Sequence, residues 1–214
     1  MGRGALVVFE GIDGSGKSTV VPRVAEALQI SGFPIATTRE PRRDYLSGKH
    51  LTERSKNGNI GDLLEGIGDV EYFFVNRAEH TQRFVNPNLK QGISVISDRN
   101  YHSTAAYQET WHRGLFDYVV EKRNSYERMG LIERPSLVVF LDVSPDTAMK
   151  RIAAVGKTLE KYERKEFLTP LVANYHRALE ELNDPFVVID AEGPVADVVS
   201  AAYKAVEPVV RRVG

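Results

Sequence analysis

The chain has 214 residues and a formal net charge of −1, so its length suits a single α/β domain over residues 1–214 and its charge gives no indication of a nucleic-acid partner. The absence of cysteine excludes disulfides and thiolate metal sites. No apolar run approaches the roughly 20 residues of a membrane helix, and the N-terminus lacks a signal-peptide pattern, so we expect a cytoplasmic protein without a membrane partner.

The first predicted element is a short apolar strand that ends in a glycine-rich loop. Ala5 to Phe9 is long enough for a buried strand and too short for a helix. The next stretch, Gly11-Ile-Asp-Gly-Ser-Gly-Lys-Ser18, fits the phosphate-loop pattern G-x-x-x-x-G-K-[ST]. An amphipathic helix follows, with one apolar side formed by Val20, Val21, Val24, Ala25 and Leu28. This strand–loop–helix context predicts a nucleoside triphosphate site.

Two side chains of this loop have specific predicted contacts. Lys17 should reach the β- and γ-phosphates of a nucleotide, and the Ser18 hydroxyl should bind Mg²⁺. Backbone N–H groups and the partial positive charge of the helix N-terminus should hold the remaining phosphate oxygens. The predicted nucleotide-binding stretch comprises Gly11, Ile12, Asp13, Gly14, Ser15, Gly16, Lys17, Ser18 and Thr19.

Strands and helices alternate along the rest of the chain. Further strands are predicted at residues 35–38, 92–97, 137–143 and 186–190. Helices are predicted from about Gly68 to just before Pro87, over most of 101–130, and at residues 145–154, before Leu182 and at 194–210. Residues 43–60 are polar and predict a loop or a weakly helical insertion. This alternation predicts a five-stranded parallel sheet with helices on both faces, with Glu10, Arg39, Asp98 and Arg99 at the carboxyl ends of its strands.

Four polar motifs resemble those of thymidylate kinases, in the same order and at similar spacing. They are Glu10-Gly-Ile-Asp-Gly-Ser-Gly-Lys-Ser-Thr19, Thr38-Arg-Glu-Pro41, Asn76-Arg-Ala-Glu-His80 and Asp98-Arg-Asn-Tyr-His-Ser-Thr-Ala-Ala-Tyr-Gln108. The resemblance covers nearly the whole chain and implies the three-layer sandwich of P-loop kinases. It also implies transfer of the ATP γ-phosphoryl group to the 5′-phosphate of dTMP, with Mg²⁺, in a protein that is commonly a homodimer.

Two arginines at predicted strand ends match the needs of this reaction. Donor and acceptor are both polyanions, so the acceptor phosphate needs cations separate from Lys17. Arg99 can lie between donor and acceptor, and Arg39 can hold the acceptor phosphate through its bidentate guanidinium. Asp98 is placed to order the Mg²⁺ shell through water. Asp142 also follows an apolar strand, but the resemblance favours Asp98.

The resemblance assigns the thymine ring to two residues of the long helix. Phe73 would stack on the ring and Arg77, one helical turn later, would donate to its O4. The alternative for Phe73 is a place in the core, because aromatic residues adjoin it on both sides.

Further substrate contacts are implied by position within the same motifs. Ser103 and Thr104 fall where the family contacts the base edge, Tyr107 falls beneath the deoxyribose, and Asp13 falls near the 3′-hydroxyl. Glu10 has two alternatives, support of Arg39 or Mg²⁺ through water, or a purely structural pairing.

The chain departs from the family pattern at two places. The Arg-Glu-Pro element continues as Arg42-Arg43 instead of Gly-Gly-Thr, and Gly14 stands where one family branch has an arginine. The second departure implies that the lid, at about residues 153–164, supplies an additional cation near ATP. The candidates are Arg151, Lys157, Lys161 and Arg164.

Two other functions compete with this interpretation. One is a kinase for another nucleoside monophosphate or for a nucleoside, and the other is a non-catalytic nucleotide binder such as a GTP-dependent switch. Arg39 and Arg99 favour an acceptor that already carries phosphate. No Asn-Lys-x-Asp guanine motif occurs in the chain. Glu53-Arg54-Ser55 is similar to an element of deoxynucleoside kinases, but no apolar strand precedes it.

Overall fold

The computed structural model describes residues 2–45, 48–49, 63–154 and 164–212. Within these ranges five strands form one parallel sheet, in the spatial order β2-β3-β1-β4-β5. The strands are β1 (Leu6–Glu10), β2 (Ile35–Arg39), β3 (Ser94–Asp98), β4 (Leu137–Asp142) and β5 (Phe186–Asp190). The predicted five-stranded parallel sheet is therefore confirmed, with each strand close to its expected position.

Helices connect the strands and cover both faces of the sheet. Their bounds are α1 (Lys17–Ile30), α2 (Leu63–His80), α3 (Asn86–Lys90), α4 (Tyr101–Trp111), α5 (Phe116–Arg128), α6 (Pro145–Ala154), α7 (Lys165–Glu181) and α8 (Val195–Arg211). The predicted apolar side of α1 is buried, and the Ser144 hydroxyl accepts a hydrogen bond from the Thr147 N–H at the start of α6. In the part of the chain described here, no helix combines the length and hydropathy of a membrane span.

The predicted helix end before Pro87 is wrong. Helix α2 continues through a π-helical turn, Thr81–Val85, directly into α3. Pro87 lies in the first turn of α3, directly after the π-helical turn, so the helical run passes through the proline. The predicted insertion at residues 43–60 lies mostly outside the described residues, as do Lys157 and Lys161 of the predicted lid.

Side chains of β1 alternate between two apolar clusters. Val7 and Phe9 belong to the cluster that includes residues of α1, α7 and α8, whereas Leu6 and Val8 pack with Val85, Leu89 and Val95 on the other face. Each fully buried aliphatic or aromatic side chain contributes about 1.5–3 kcal/mol. The sheet is thus held between two helical layers, as the three-layer prediction requires.

Strand register brings polar residues to one edge of the sheet. Arg39 lies opposite Asp98 in the β2–β3 pair, and Phe9 lies opposite Asp98 in the β1–β3 pair. Glu10 ends β1 next to β4. The loop that follows β1 therefore starts beside the ends of β2 and β3, where the acidic and basic side chains collect.

Candidate active site

Glycines shape the loop between β1 and α1. Gly11, Gly14 and Gly16 have φ angles of 147°, 83° and 99°, a region that favours glycine. A Cβ atom at Gly14 would lie 2.5 Å from the carbonyl oxygen of Ala148 in α6. The loop therefore rests directly on α6 at this point. A side chain at position 14 would therefore collide with the backbone of α6 in this arrangement.

Lys17 is buried beneath the loop. Its Nζ donates to the carbonyl oxygens of Gly11 at 2.7 Å and Ile12 at 3.0 Å, and to Ser15 Oγ at 3.2 Å. Burial, together with the nearby Arg99 cation, lowers the pKa of Lys17 to about 8, although neighbouring carboxylates oppose this decrease. The next residue, Ser18, is exposed. The loop thus holds an ammonium group among neutral oxygens and presents a hydroxyl beside it.

Arg99 and Asp13 join the end of β3 to the phosphate loop. Arg99 Nη2 lies 2.6 Å from Asp13 Oδ1 and donates to the Tyr107 hydroxyl at 3.2 Å, and this hydroxyl donates to Asp13 Oδ2 at 2.9 Å. Burial alone would raise the pKa of Asp13, but the Arg99 and Lys17 cations outweigh it and lower that pKa to about 2. Asp13 is therefore an anion at neutral pH, held in a triangle with a cation and a phenol.

Glu10 is a fully buried carboxylate at the N-terminus of α4. Its Oε1 accepts from the backbone N–H groups of Asn100 at 2.7 Å and Ser103 at 3.2 Å, and its Oε2 accepts from Ser103 Oγ at 2.5 Å. An anion is stabilised there by the helix dipole and the free N–H groups. These contacts are of the kind expected for the structural pairing of Glu10. It also places the Ser103 hydroxyl against Glu10 inside the protein.

Arg39 and Asp98 lie side by side at the ends of β2 and β3. Arg39 Nε is 3.6 Å from Asp98 Oδ2, and the Arg39 side chain is 63% exposed. Its guanidinium therefore faces solvent and is accessible to a phosphate. Asp98 Oδ1 is buried and has no hydrogen-bond partner among the residues that the structure describes.

The oxygen atoms at this edge fit Mg²⁺. This ion takes oxygen ligands and is commonly held by one or two protein groups, with water and substrate phosphates as the remaining ligands. Asp98 Oδ1 and the exposed Ser18 hydroxyl are oxygens of this kind. The described ranges contain no group of three or more His, Cys, Asp or Glu arranged for a metal, so no all-protein cage competes with such a site. Asp142, the alternative acid, instead lies 3.6 Å from His176 Nε2.

Arg77 is fixed from two sides on α2. Its Nε donates to Glu40 Oε2 at 2.8 Å, and its Nη2 donates to Thr104 Oγ1 at 3.1 Å. Its Nη1 is buried without a hydrogen-bond partner in the described part of the chain. Phe74 is fully buried in the core, whereas Phe73 is only half-buried. Phe74 is therefore the core aromatic residue of this pair, and stacking of Phe73 on the base stays a prediction.

Glu40 and His80 complete this arrangement, although no role was predicted for either residue. Glu40 Oε1 lies 3.1 Å from His80 Nδ1, and His80 Nε2 lies 2.8 Å from Thr38 Oγ1. Burial raises the pKa of Glu40, but Arg77 and His80 outweigh it and lower this pKa. Both residues stood in the motifs that carry the family resemblance. The opposite charges of Glu40 and Arg77 were visible in these motifs, but the pairing became apparent only when the fold placed both side chains in the interior.

Arg151 is the described lid candidate that lies beside the phosphate loop. From α6 it donates to the carbonyl oxygens of Ala191 at 2.7 Å, Glu192 at 3.3 Å and Gly14 at 3.5 Å. Arg164 precedes α7 and is exposed. Arg151 is thus held between the loop and the segment that follows β5.

Comparison with known sequences agrees with these motifs. A model of the thymidylate kinase family matches residues 9–202. The chain is 34% identical to the probable thymidylate kinase of Methanosarcina mazei over 211 residues, which cover 99% of both chains. It is 31% identical to the thymidylate kinase of Legionella pneumophila, over 95% of this chain and 94% of the other. It is 29% identical to the probable thymidylate kinase of Archaeoglobus fulgidus, over 94% of each chain.

Proposed function

The chain belongs to the thymidylate kinase family, and from this premise we propose that it transfers the γ-phosphoryl group of ATP to the 5′-phosphate of dTMP, giving dTDP and ADP. The observation that carries the proposal is the meeting of two separate cationic sites at one edge of the sheet. Lys17 lies in the phosphate loop, and Arg39 and Arg99 lie at the ends of the neighbouring strands. Two polyanions can therefore be neutralised by different side chains.

The proposed role of each side chain follows from its exposure and from its contacts with the phosphate loop. Lys17 neutralises the donor phosphates, and the exposed Arg39 holds the acceptor phosphate. Arg99, which is linked to the phosphate loop through Asp13, stabilises the group in transfer. Mg²⁺, which we propose Ser18 and Asp98 hold directly or through water, supplies further charge neutralisation when bound. Arg151 supplies the lid-side cation for ATP, because it already contacts the loop at Gly14.

The thymine ring is recognised, in this proposal, by Phe73, Arg77 and Thr104. Phe73 stacks on the ring, and the unused Nη1 of Arg77 donates to the 4-oxygen. Thr104 accepts from Arg77 and so keeps the guanidinium in place at the base edge. A cytosine would present an amino group to these donors, and a buried polar group without a partner costs about 1–3 kcal/mol.

The sugar is recognised by Tyr107 and Asp13. The Tyr107 ring lies against the deoxyribose and disfavours a 2′-hydroxyl, while its own hydroxyl is used by Arg99 and Asp13. Asp13 accepts from the 3′-hydroxyl. The 5-methyl group of thymine adds only about 0.8 kcal/mol of burial, so dUMP is a weaker substrate and not an excluded one.

The assembly and location belong to the same proposal. We propose a single-domain protein that forms a homodimer in the cytoplasm. Family membership supports the homodimer, and Val75 on α2 and Met129 after α5 offer exposed apolar surface. Light scattering after size exclusion tests the assembly, and a monomer at micromolar concentration would contradict it.

An acceptor panel tests the function. ADP formation is measured with ATP, Mg²⁺ and each of dTMP, dUMP, UMP, dCMP, AMP and GMP, and the phosphorylated product is identified. We expect kcat/KM to fall in the order dTMP, dUMP, and then the others far behind. A best acceptor among UMP or the purine monophosphates would overturn the assignment to dTMP and leave a different monophosphate kinase. ATP binding without any phosphorylated product would favour the non-catalytic nucleotide binder.

A further inference from the structure

Two hydroxyl groups separate a buried cation from a buried anion in the centre of this site. Arg99 Nη1 donates to Ser103 Oγ and to the Tyr175 hydroxyl, each at 3.2 Å. The same two hydroxyls lie 2.5 Å and 3.3 Å from Glu10 Oε2, and 2.9 Å from each other. Among the described residues, the hydrogen bonds of Glu10 do not include one to Arg99 itself. The two side chains are linked through the hydroxyls of Ser103 and Tyr175.

The direction of these hydrogen bonds follows from the chemistry of the groups. An arginine only donates and an ionised carboxylate only accepts, while a hydroxyl has one hydrogen and two lone pairs. The hydrogen of Ser103 is directed to Glu10, and that of Tyr175 to Glu10 or Ser103. The Tyr175 oxygen still has a lone pair that accepts the hydrogen bond from Arg99 Nη1. The Tyr175 oxygen thus acts as a fixed acceptor for one end of the guanidinium.

The two ends of the Arg99 guanidinium have different surroundings. Nη1 contacts groups that are buried, whereas Nη2 contacts Asp13, whose side chain is 31% exposed. A substrate phosphate can compete for Nη2 from the open side. Nη1 keeps its partners inside the protein. Arg99 also has a φ of 78°, a conformation that a non-glycine residue adopts only where its surroundings hold it.

We propose that Tyr175 is a positioning residue for Arg99, and that the hydroxyls of Tyr175 and Ser103, oriented by Glu10, hold Nη1 so that Nη2 is presented to the phosphates. The effect on kcat that follows from this role rests on the proposed function. This positioning role extends the site to α7, because Tyr175 comes from that helix. It also gives Ser103 a task next to Arg99 instead of the base edge.

Replacing Tyr175 by phenylalanine isolates the hydroxyl. The Tyr175 ring packs 5.3 Å from Phe140 and 6.2 Å from Tyr107 between ring centroids, and phenylalanine keeps both contacts. Tyr101→Phe is the matched control. Tyr101 is equally buried, and its hydroxyl donates to Asp184 at 2.6 Å. Both variants lose one buried hydroxyl and its bond to a carboxylate, but only Tyr175 contacts Arg99 through this hydroxyl.

The first readout is the split between kcat and KM. In Tyr175→Phe we expect kcat to fall about tenfold, as for one hydrogen bond to a charged group, while KM for dTMP changes less than about twofold. Tyr101→Phe should keep the wild-type kcat. Unfolding in urea should show a similar loss of stability in both variants. Equal kcat in Tyr175→Phe and wild type, or an equal loss of kcat in both variants, would overturn the proposal.

The second readout needs no substrate and separates this proposal from the proposed function. The rotation rate of the Arg99 guanidinium is measured by ¹⁵N NMR on the ligand-free protein, with Arg99→Lys used to assign the signals. We expect restricted rotation in the wild type and in Tyr101→Phe, and faster rotation in Tyr175→Phe. If the wild type forms no dTDP, the proposed function fails while this measurement still decides the role of Tyr175. If Tyr175→Phe does not fold, Ser103→Ala removes the other bridging hydroxyl, and unchanged rotation in that variant contradicts the proposal.

Discussion

Arg77 and Glu40 form an ion pair of 2.8 Å in which the two side chains are only 3% and 6% exposed. A buried arginine without an acid would be costly, and Glu40 offsets its charge. The pair therefore carries no net positive charge, and it leaves Nη1 of Arg77 as an N–H donor without a partner among the described residues. A neutral base carbonyl suits such a donor better than a phosphate does. In the proposed function, recognition of the base by Arg77 is thus separate from recognition of the phosphates by Arg39 and Arg99.

Removal of Arg77 should weaken the discrimination between dTMP and dCMP. In Arg77→Ala the donor that faces the 4-position is lost, so the ratio of kcat/KM for dTMP over dCMP should fall by about tenfold or more. Arg83→Ala is the control, since Arg83 is an exposed arginine that pairs with Glu79. Steady-state kinetics with both acceptors gives the ratio. An unchanged ratio in Arg77→Ala would remove this residue from base recognition.

The ring and the hydroxyl of Tyr107 should have different effects. Tyr107→Ala should reduce the difference in kcat/KM between dUMP and UMP, because the variant lacks the ring that disfavours a 2′-hydroxyl. Tyr107→Phe keeps the ring and should preserve the difference in kcat/KM between the two acceptors. Its kcat should fall, because it loses the hydrogen bonds to Asp13 and Arg99. Both acceptors are compared by kcat/KM in each variant. If both variants reduce the difference between the acceptors equally, the hydroxyl and not the ring sets the sugar preference.

Arg39 and Arg99 should differ in their kinetic signatures. Arg39 is exposed, so Arg39→Ala should raise KM for dTMP and have a smaller effect on kcat. Arg99 is held beside the phosphate loop, so Arg99→Ala should lower kcat by about 10²-fold or more. Initial rates over a range of dTMP concentrations distinguish the two. A rise in KM alone in both variants would contradict this division of roles.

ATP affinity should decline as the pH rises above about 8. The pKa of Lys17 is lowered to about 8 in the ligand-free protein, so its ammonium loses its proton in this range and phosphate binding has to restore it. Above that pKa the dissociation constant for MgATP should rise towards about tenfold per pH unit. Calorimetry between pH 7 and 10, without acceptor, measures this. Lys17→Ala should bind more weakly and show a flat pH profile, and a flat profile in the wild type would refute the assignment.

Asp184 should make stability depend on pH in the acid range. It accepts from Tyr101 and from Arg134 Nε at 2.6 Å and lies 3.1 Å from Arg123 Nη2. Burial raises its pKa, but the contacts with His102, Tyr101 and Arg134 outweigh it and lower the pKa from 3.8 to about 2. The folded-state pKa lies below the unfolded one. The stabilisation is therefore complete above about pH 4 and is lost as the pH falls towards 2, and it amounts to about 2 kcal/mol.

Asp184→Asn checks this expectation. The free energy of unfolding in urea should fall at pH 7, and its slope between pH 4 and 2 should become shallower than in the wild type. Glu207→Gln, which removes the partner of the exposed Arg211, should leave both properties close to the wild type. An unaltered slope in Asp184→Asn would show that other carboxylates cause the acid sensitivity.

Local patterns account for the parts of the fold that were predictable. The apolar run of β1, the glycines of the loop and the periodicity of α1 are each contained within a few residues. Pro87 misled the prediction because a proline is tolerated where one helical segment starts directly after another. Contacts between distant segments were not readable. Tyr175 falls on the buried side of an amphipathic helix, and nothing local distinguishes it from a core residue until the fold brings its hydroxyl to Arg99.

The positions of the proposed site residues along the chain have a consequence for how substrate preference can change. Recognition of the acceptor is assigned to Arg39, Phe73, Arg77, Arg99, Thr104 and Tyr107, which all lie on one uninterrupted stretch of chain from β2 to α4. In the proposed function the donor side uses the phosphate loop and Arg151, which lie before and after that stretch, whereas Asp98 and Arg99 lie within it and Asp13 belongs to both sides. A new acceptor preference can therefore evolve, or be grafted, within residues 35–111 provided that Asp98 and Arg99 are kept.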